Sequence, residues 1–183
     1  LGIQGTPPAM KLVPDPVILQ RVRNLLDAEA GKVAGPTIAI HVSARKLPQR
    51  WPTERFIALM RQLHVRCNAR FMLFWAPGSS DNPMHPGDDD KAREIVAATA
   101  GLPVLAYRTE SLDELIGGIA ACDSMICSDG GAMHVGAALD PGLLPRDRQR
   151  VVQRARIVRH DLRADPVAQR RDDRAAIRVV LGV

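Results

Sequence analysis

Apolar positions along this chain change period in a regular way, and the changes mark out its elements. Asp15-Pro16 opens a helix, with Asp as N-cap and Pro at the first helical position. Val17, Ile18, Val22, Leu25 and Leu26 follow at helical spacing, and Gly31 is a natural stop. Thr37–Val42 is a short, β-branched apolar run and reads as a buried strand. In Pro52–Leu63 the helical period returns, carried by Phe56, Ile57, Leu59, Met60 and Leu63. Phe71–Trp75 is a second buried strand, and Asp88–Ala100 is a helix with acids in its first turn, where the helix dipole favours them. Val104–Tyr107 is a third, weaker strand. Ser111-Leu-Asp-Glu114 has the capping-box pattern and starts a helix running to about Ala121. Ser124–Cys127 is a fourth strand, and Gly130-Gly131 leads into an apolar helix from Ala132 to Leu139. Strands that alternate with helices predict βαβ units, hence an α/β fold with a Rossmann-like parallel sheet covered by helices on both faces.

Three segments follow from this pattern. Residues 1–15 are rich in Pro and Gly and read as a linker, and residues 16–139 form the α/β domain. Residues 140–183 are an Arg-rich tail expected to be poorly ordered. That tail holds no Lys, Glu, Ser, Thr, Asn, Cys, Met or aromatic residue, and Arg takes 11 of its 44 positions. It also carries the whole net charge of +5, because residues 1–139 hold 14 Lys and Arg against 14 Asp and Glu. The body is therefore neutral, and the Arg run lacks interleaved aromatics, so a nucleic-acid-binding protein fits poorly. No apolar run approaches the roughly 20 residues of a membrane span. The opening Leu-Gly-Ile-Gln has no charged segment followed by an apolar one, so no signal peptide is expected. The three cysteines, Cys67, Cys122 and Cys127, have no metal-ligand spacing, and their odd number argues against a disulfide framework. Buried thiols in a reducing cytoplasm are the expectation.

In a parallel α/β sheet ligands bind beyond the carboxyl ends of the strands. Three loops leave such ends: His41-Val-Ser43-Ala-Arg45-Lys46, Ala76-Pro-Gly78-Ser79-Ser80-Asp81, and Ser128-Asp129-Gly130-Gly131-Ala132-Met133-His134. The third is the most informative. Two glycines between a strand and a helix let backbone approach a ligand, and the helix N-terminus offers free N–H groups to a phosphate. His134 could add a donor to a diphosphate, and Asp129 could hold the loop or accept from a ribose hydroxyl. A tight strand-to-helix turn with a packed histidine is the plainer alternative. Ser43, Arg45 and Lys46 suit an anionic ligand, although a solvated loop fits the spacing equally well. Asp88-Asp89-Asp90 reads as a solvated helix start rather than a metal site, since the acids are adjacent and not convergent.

Two of these stretches resemble a known family. His41-Val-Ser-Ala-Arg-Lys, Gln49-Arg50-Trp51-Pro52 and Arg55-Phe56 are similar to the opening of the C-terminal domain in glycosyltransferase family 9, the heptosyltransferases of lipopolysaccharide core assembly. Cys127-Ser-Asp129-Gly-Gly-Ala-Met-His134 with Ala137-Ala138-Leu139 resembles the family's second signature, Asp-(Thr/Gly)-Gly-x-x-His followed by Ala-Ala-Leu. The resemblance covers about residues 10–139. It implies the C-terminal half of a GT-B glycosyltransferase, two Rossmann-like domains facing across a cleft, with this half binding the nucleotide-sugar donor. It further implies an ADP-linked, heptose-like donor, inverting transfer without a metal or other cofactor, and a lipopolysaccharide core acceptor. The location it implies is cytoplasmic, at the cytoplasmic face of the inner membrane and without a transmembrane segment. Carried over by position, Asp129, Gly130, Gly131 and His134 meet the diphosphate and sugar, and Ser43 sits near the phosphates. Arg45 and Lys46 join this donor-binding set. Glu110 falls where the family's backbone meets the base, and the acid that meets the ribose falls within Asp88–Asp90.

Three departures qualify the match. Gln49 stands where the family often has a phosphate-facing Lys, and Arg45, Lys46 and Arg50 are the cations nearby. No catalytic residue is expected in this chain, because the resemblance places the base and the acceptor site in an N-terminal domain that precedes it. The chain alone is accordingly expected to transfer no sugar, and a non-catalytic nucleotide- or sugar-binding module of the same fold is the alternative reading. Finally, the match stops at Leu139. Gly142-Leu-Leu-Pro-Arg146-Asp147 can be encoded so that reading one base later gives Ala-Cys-Phe-Leu-Gly, close to the strand and Phe-Gly pair with which the family continues. A shifted reading frame would account for the tail's composition.

Overall fold

The computed structural model describes residues 11–46, 49–82, 84, 86–128 and 130–139, together with the backbone of residues 177–181. The elements run α1 (Pro16–Glu29), β1 (Thr37–His41), α2 (Thr53–Cys67), β2 (Arg70–Phe74), α3 (Asp89–Ala98), β3 (Val104–Ala106), α4 (Leu112–Ala120), β4 (Ser124–Ser128), α5 (Gly131–Ala138) and β5 (Ile177–Leu181). The sheet order is β3-β2-β1-β4-β5. β1, β2, β3 and β4 are mutually parallel, and β5 pairs antiparallel with β4. The four parallel strands and five helices are those the periodicity predicts, within a residue or a few at each end. β5 is a strand that the sequence pattern did not predict.

Alternation along the strands divides the core. Ile38 and Ile40 of β1 with Phe71 and Leu73 of β2 pack against α2 and α3, through Phe56, Leu59, Met60, Leu63 and Ile95. Ala39, Met72, Phe74, Met125 and Cys127 point the other way, onto α1, α4 and α5. A sheet buried on both faces explains why its strands read as continuous apolar runs. All five apolar residues predicted for the α2 face are buried. α1 departs from expectation: Val22 and Leu26 are buried, but Val17 is 75% exposed and Leu25 lies at the surface. α1 rests on α4 through a narrow stripe, so only part of its apolar arc is covered.

Local chemistry sets the helix boundaries. The Asp15 carboxylate accepts from the N–H groups of Val17 and Ile18 at 2.7 and 3.0 Å, capping α1. The Ser111 hydroxyl accepts from Glu114 N at 3.2 Å, and the Glu114 carboxylate reaches back to accept from Glu110 N at 2.9 Å. That backbone bond is the main reason the Glu114 carboxyl is held below the usual carboxylate range. Gly117 and Gly118 let α4 approach closely on two sides: a Cβ on Gly117 would meet the Ile18 side chain, and one on Gly118 the Phe74 ring. This tight packing fixes α1 and α4 over the face of the sheet that carries Phe74.

Candidate functional site

β1 leads through α2 to β2 on one side, whereas β4 returns to its other side, so the strand order reverses between β1 and β4. A crevice at such a reversal, beyond the carboxyl ends of the strands, is where α/β sheets bind ligands. The two segments that leave these strands meet there. Gly130 faces the loop after β1, and a Cβ placed on it would lie 3.9 Å from the Ser43 carbonyl oxygen. Gly130 is also the N-cap of α5 and supplies no side-chain cap. In the first turn of α5 the N–H of Met133 donates to Gly130 O at 3.1 Å, while those of Gly131 and Ala132 precede the helix's own carbonyls and carry the positive end of the helix dipole. Among the described residues nothing lies within 4 Å of where a Cβ on Gly131 would sit. His134 lies exposed in the first turn of the same helix.

The loop after β1 is held in a defined shape. Val42 N donates to Phe74 O at 3.0 Å, and Ala76 N donates to the buried Ser43 hydroxyl at 2.8 Å. The Ser43 hydroxyl thus ties this loop to the one after β2. Arg45 and Lys46 are exposed beyond it, on the same edge of the sheet. Glu110 is exposed on the β3–α4 connection, two strands away from β1. The structure thus sets Gly130 against Ser43 at the β1/β4 reversal, with Gly131 and His134 following in the first turn of α5, and leaves Glu110 farther along the same edge. Asp129 lies outside the described residues.

The three adjacent acids have different surroundings. Asp88 is buried, and its Oδ1 accepts from Arg50 Nη1 at 3.2 Å. Asp89 accepts from Trp75 Nε1 at 2.7 Å, a bond that lowers its carboxyl pKa. Asp90 pairs with Arg93 at 2.6 Å on the surface. A solvated helix start describes Asp90 but not Asp88. Among the described residues no group of three or more His, Cys, Asp and Glu could hold a metal ion. No helix among them is long and apolar enough to cross a membrane.

Sequence reasoning passed over Lys91 and named Arg50 only as a nearby cation. Lys91, on α3, donates to Trp51 O at 2.7 Å and Val42 O at 3.2 Å, and its ammonium stands 5.0 Å from the centre of the Phe56 ring. Burial lowers the pKa of that ammonium, and the charge of Asp88 works against the shift. Arg50 Nε donates to Ala44 O at 2.8 Å. A cleft of about 370 Å³ opens beside this cluster, lined among others by Arg50, Thr53, Ser80, Asp88, Lys91 and Glu94. An isolated Lys on a helix gives no sequence signal, since only the fold shows which carbonyls it reaches.

His41 ends β1, level with Phe74 on β2 and Cys127 on β4. Its Nδ1 is buried without a hydrogen-bond partner among the described residues. Burial lowers its pKa from 6.5 to about 4, with the charge of Asp88 opposing. The folded pKa lies below the unfolded one, so between these values the unfolded chain binds more protons. Thermal stability is therefore expected to be full above about pH 6.5 and to decline as the pH falls towards about 4. Comparing melting temperatures across this range for the wild type and His41→Gln checks it. The variant should lose much of the slope, and an equally steep slope in both would assign the acid sensitivity to other groups.

Comparison with known proteins gives a consistent picture. The family model described as Glycosyltransferase family 9 (heptosyltransferase) matches residues 14–144. The structure of E. coli ADP-heptose LPS heptosyltransferase II is similar at 25% sequence identity and a TM-score of 0.51, over 70% of this chain and 36% of that one. The crystal structure of a family 9 glycosyl transferase from Veillonella parvula DSM 2008 is similar at 19% identity and a TM-score of 0.55, over 70% of this chain and 34% of that one. The chain thus spans about a third of the length of these solved structures. No curated protein sequence matches it.

Proposed function

This chain belongs to glycosyltransferase family 9, and from that premise we propose that residues 16–139 form the donor-binding half of an inverting, heptosyltransferase-like enzyme that takes an ADP-linked sugar. The observation that carries the reading is the Gly130-Gly131 turn, which opens α5 at the β1/β4 reversal beside Ser43. A diphosphate placed there meets the leading N–H groups, of Gly131 and Ala132, and the positive end of α5. His134 donates to it from the first turn, and Arg45 and Lys46 add positive potential from the loop after β1. The nucleoside extends along the sheet edge over β2 towards Glu110, past the acids that open α3. In transfer, an acceptor hydroxyl attacks the anomeric carbon with inversion, the bond to the β-phosphate oxygen breaks, and the nucleoside diphosphate departs. Negative charge grows on that leaving group, and the helix end with His134 is preorganised to stabilise it. The acceptor, lipopolysaccharide core in this proposal, and the base that takes its proton belong to a facing domain of the GT-B arrangement.

Titration of the isotopically labelled chain with ADP and with UDP tests the donor reading. Amide shifts at Ser43 and at Gly130 to His134, stronger with ADP, are expected. Silence of those residues at millimolar ADP would overturn it. His134→Ala should lower ADP affinity by about 1.5–3 kcal/mol, the usual range for a hydrogen bond to a charged group. The side chain is exposed, so melting should barely move. A variant that unfolds without a separable loss of binding would make His134 a packing residue instead.

A further inference from the structure

We infer that Asp88, Arg50 and Lys91 are positioning residues that hold Val42–Ala44 in the shape the donor's phosphates meet; the inference rests on the donor reading above. The hydrogen bonds form a closed ring. Ala76 N donates to Ser43 Oγ at 2.8 Å, and Asp88 N donates to Ala76 O at 2.9 Å. Arg50 Nη1 donates to Asp88 Oδ1 at 3.2 Å, and Arg50 Nε donates to Ala44 O at 2.8 Å. The peptide bond from Ser43 to Ala44 completes the circuit. Lys91 reinforces it from below, because its ammonium joins Val42 O, at the exit of β1, to Trp51 O, at the entry to α2. Val42 is thus gripped from α3, Ser43 from the loop after β2 and Ala44 by Arg50 later in its own connection, and the Ser43 carbonyl is the one that faces Gly130.

Stability alone does not call for this arrangement. Asp88 is 5% exposed and its Oδ2 is buried with no hydrogen-bond partner among the described residues. Lys91 is buried enough to lower its pKa. Burying such charges costs desolvation, and apolar residues of similar volume commonly stabilise a fold as well or better. What the charges provide is direction: a forked guanidinium and an ammonium aimed at three backbone carbonyls, Val42, Ala44 and Trp51, of the β1–α2 connection. A ligand site needs its contacting groups fixed to within about half an ångström, and supporting hydrogen bonds supply that.

Asp88→Asn separates positioning from charge. Removing a negative charge near a bound diphosphate would, by Coulomb's law alone, tighten ADP. Asn keeps an Oδ1 acceptor for Arg50 but not its charge, and weakening that charge-assisted bond loosens the ring and weakens ADP instead, on the order of tenfold. Asp88 is buried against Arg50, which leaves Asp89 or Asp90 to meet the ribose, so adenosine, which lacks the phosphates, should bind the variant and the wild type alike. In the unliganded chain the Ala76 amide, now held by Ser43 Oγ, should exchange faster in the variant. Lys91→Met, which keeps an apolar stem over Phe56, should act in the same direction. Unchanged or tighter ADP binding with a protected Ala76 amide would overturn the inference. Equal loss of ADP and adenosine with a lower melting temperature would also overturn it, by making the cluster merely structural. Failure of the wild type to bind ADP would sink the donor reading, while the exchange rate of Ala76 would still decide whether the ring positions the loop.

Discussion

Phe74→Ala is expected to cost about 3–5 kcal/mol of folding stability, the range for truncating a buried Phe. The ring is fully buried at the carboxyl end of β2. It meets Tyr107 edge to face at 5.9 Å between centroids. On its other side lies Gly118, where an added Cβ would come within 2.7 Å of Phe74 Cε1. The neighbour opposite the ring therefore has no side chain with which to fill the space left by truncation, so the cavity should stay largely open. Small domains hold about 5–15 kcal/mol in total, so the loss is a large share of the whole. The backbone of Phe74 also accepts from Val42 N, which places the same residue under the site loop. Urea unfolding of the wild type, Phe74→Leu and Phe74→Ala provides the check, with Leu expected to lie between the other two. A loss below about 1 kcal/mol for Ala would mean that α4 settles onto the sheet and closes the cavity, contrary to the tight Gly117-Gly118 packing.

The same residue shows how far the fold could be read from the sequence. Phe71–Trp75 reads as a strand because its apolar run is continuous, and that run is continuous because helices cover both faces. What the pattern cannot say is which face each helix covers, or how closely. Gly118 matters through a contact with a residue 44 positions earlier in the chain, and a Gly pair inside a helix gives no hint of it. Val17 and Leu25 were misplaced for a related reason: helical spacing marks an apolar arc, but the width of the arc that is buried depends on the partner. β5 escaped notice because an antiparallel edge strand needs only the short run Ile177–Leu181, which lies within an Arg-rich stretch.

At the site, legibility follows sequence distance. The Gly130-Gly131 turn, His134 and the Asp15 and Ser111 caps are local devices, complete within a few residues, and all are visible in the pattern. The ring through Ser43, Ala76, Asp88 and Arg50 joins residues 33 and 38 positions apart. Nothing local distinguishes Asp88, which is buried, from its neighbour Asp90, which is exposed. Three acids at a helix start look alike in sequence. Only the loop that returns Gly87 against Gly78 decides that the first of them turns inward.

Gly131→Glu should separate what stabilises α5 from what binds the donor, because the two effects have opposite signs. Gly131 is the first residue of α5, and among the described residues a Cβ there would touch nothing within 4 Å. The fold therefore has room for the side chain. An acid in the first turn also interacts favourably with the helix dipole, by about 0.3–1 kcal/mol, and replaces a poor helix former. Melting temperature should rise or stay level. For a diphosphate at the same helix end the new carboxylate is a competitor and a like charge. A unit charge about 4 Å from another costs about 4 kcal/mol near a protein surface, before salt screens part of it. With each 1.4 kcal/mol worth tenfold, ADP affinity should fall on the order of 100-fold or more at low salt. Gly131→Gln, of nearly the same size but neutral, should lose much less. The difference between the two variants should narrow as ionic strength increases. Calorimetric titration with ADP at two salt concentrations reads both effects. If Glu and Gln weaken binding equally at every salt concentration, space rather than charge is what Gly131 supplies. If neither weakens it, the diphosphate does not sit at the N-terminus of α5, and the reading of this crevice as a donor site fails with it.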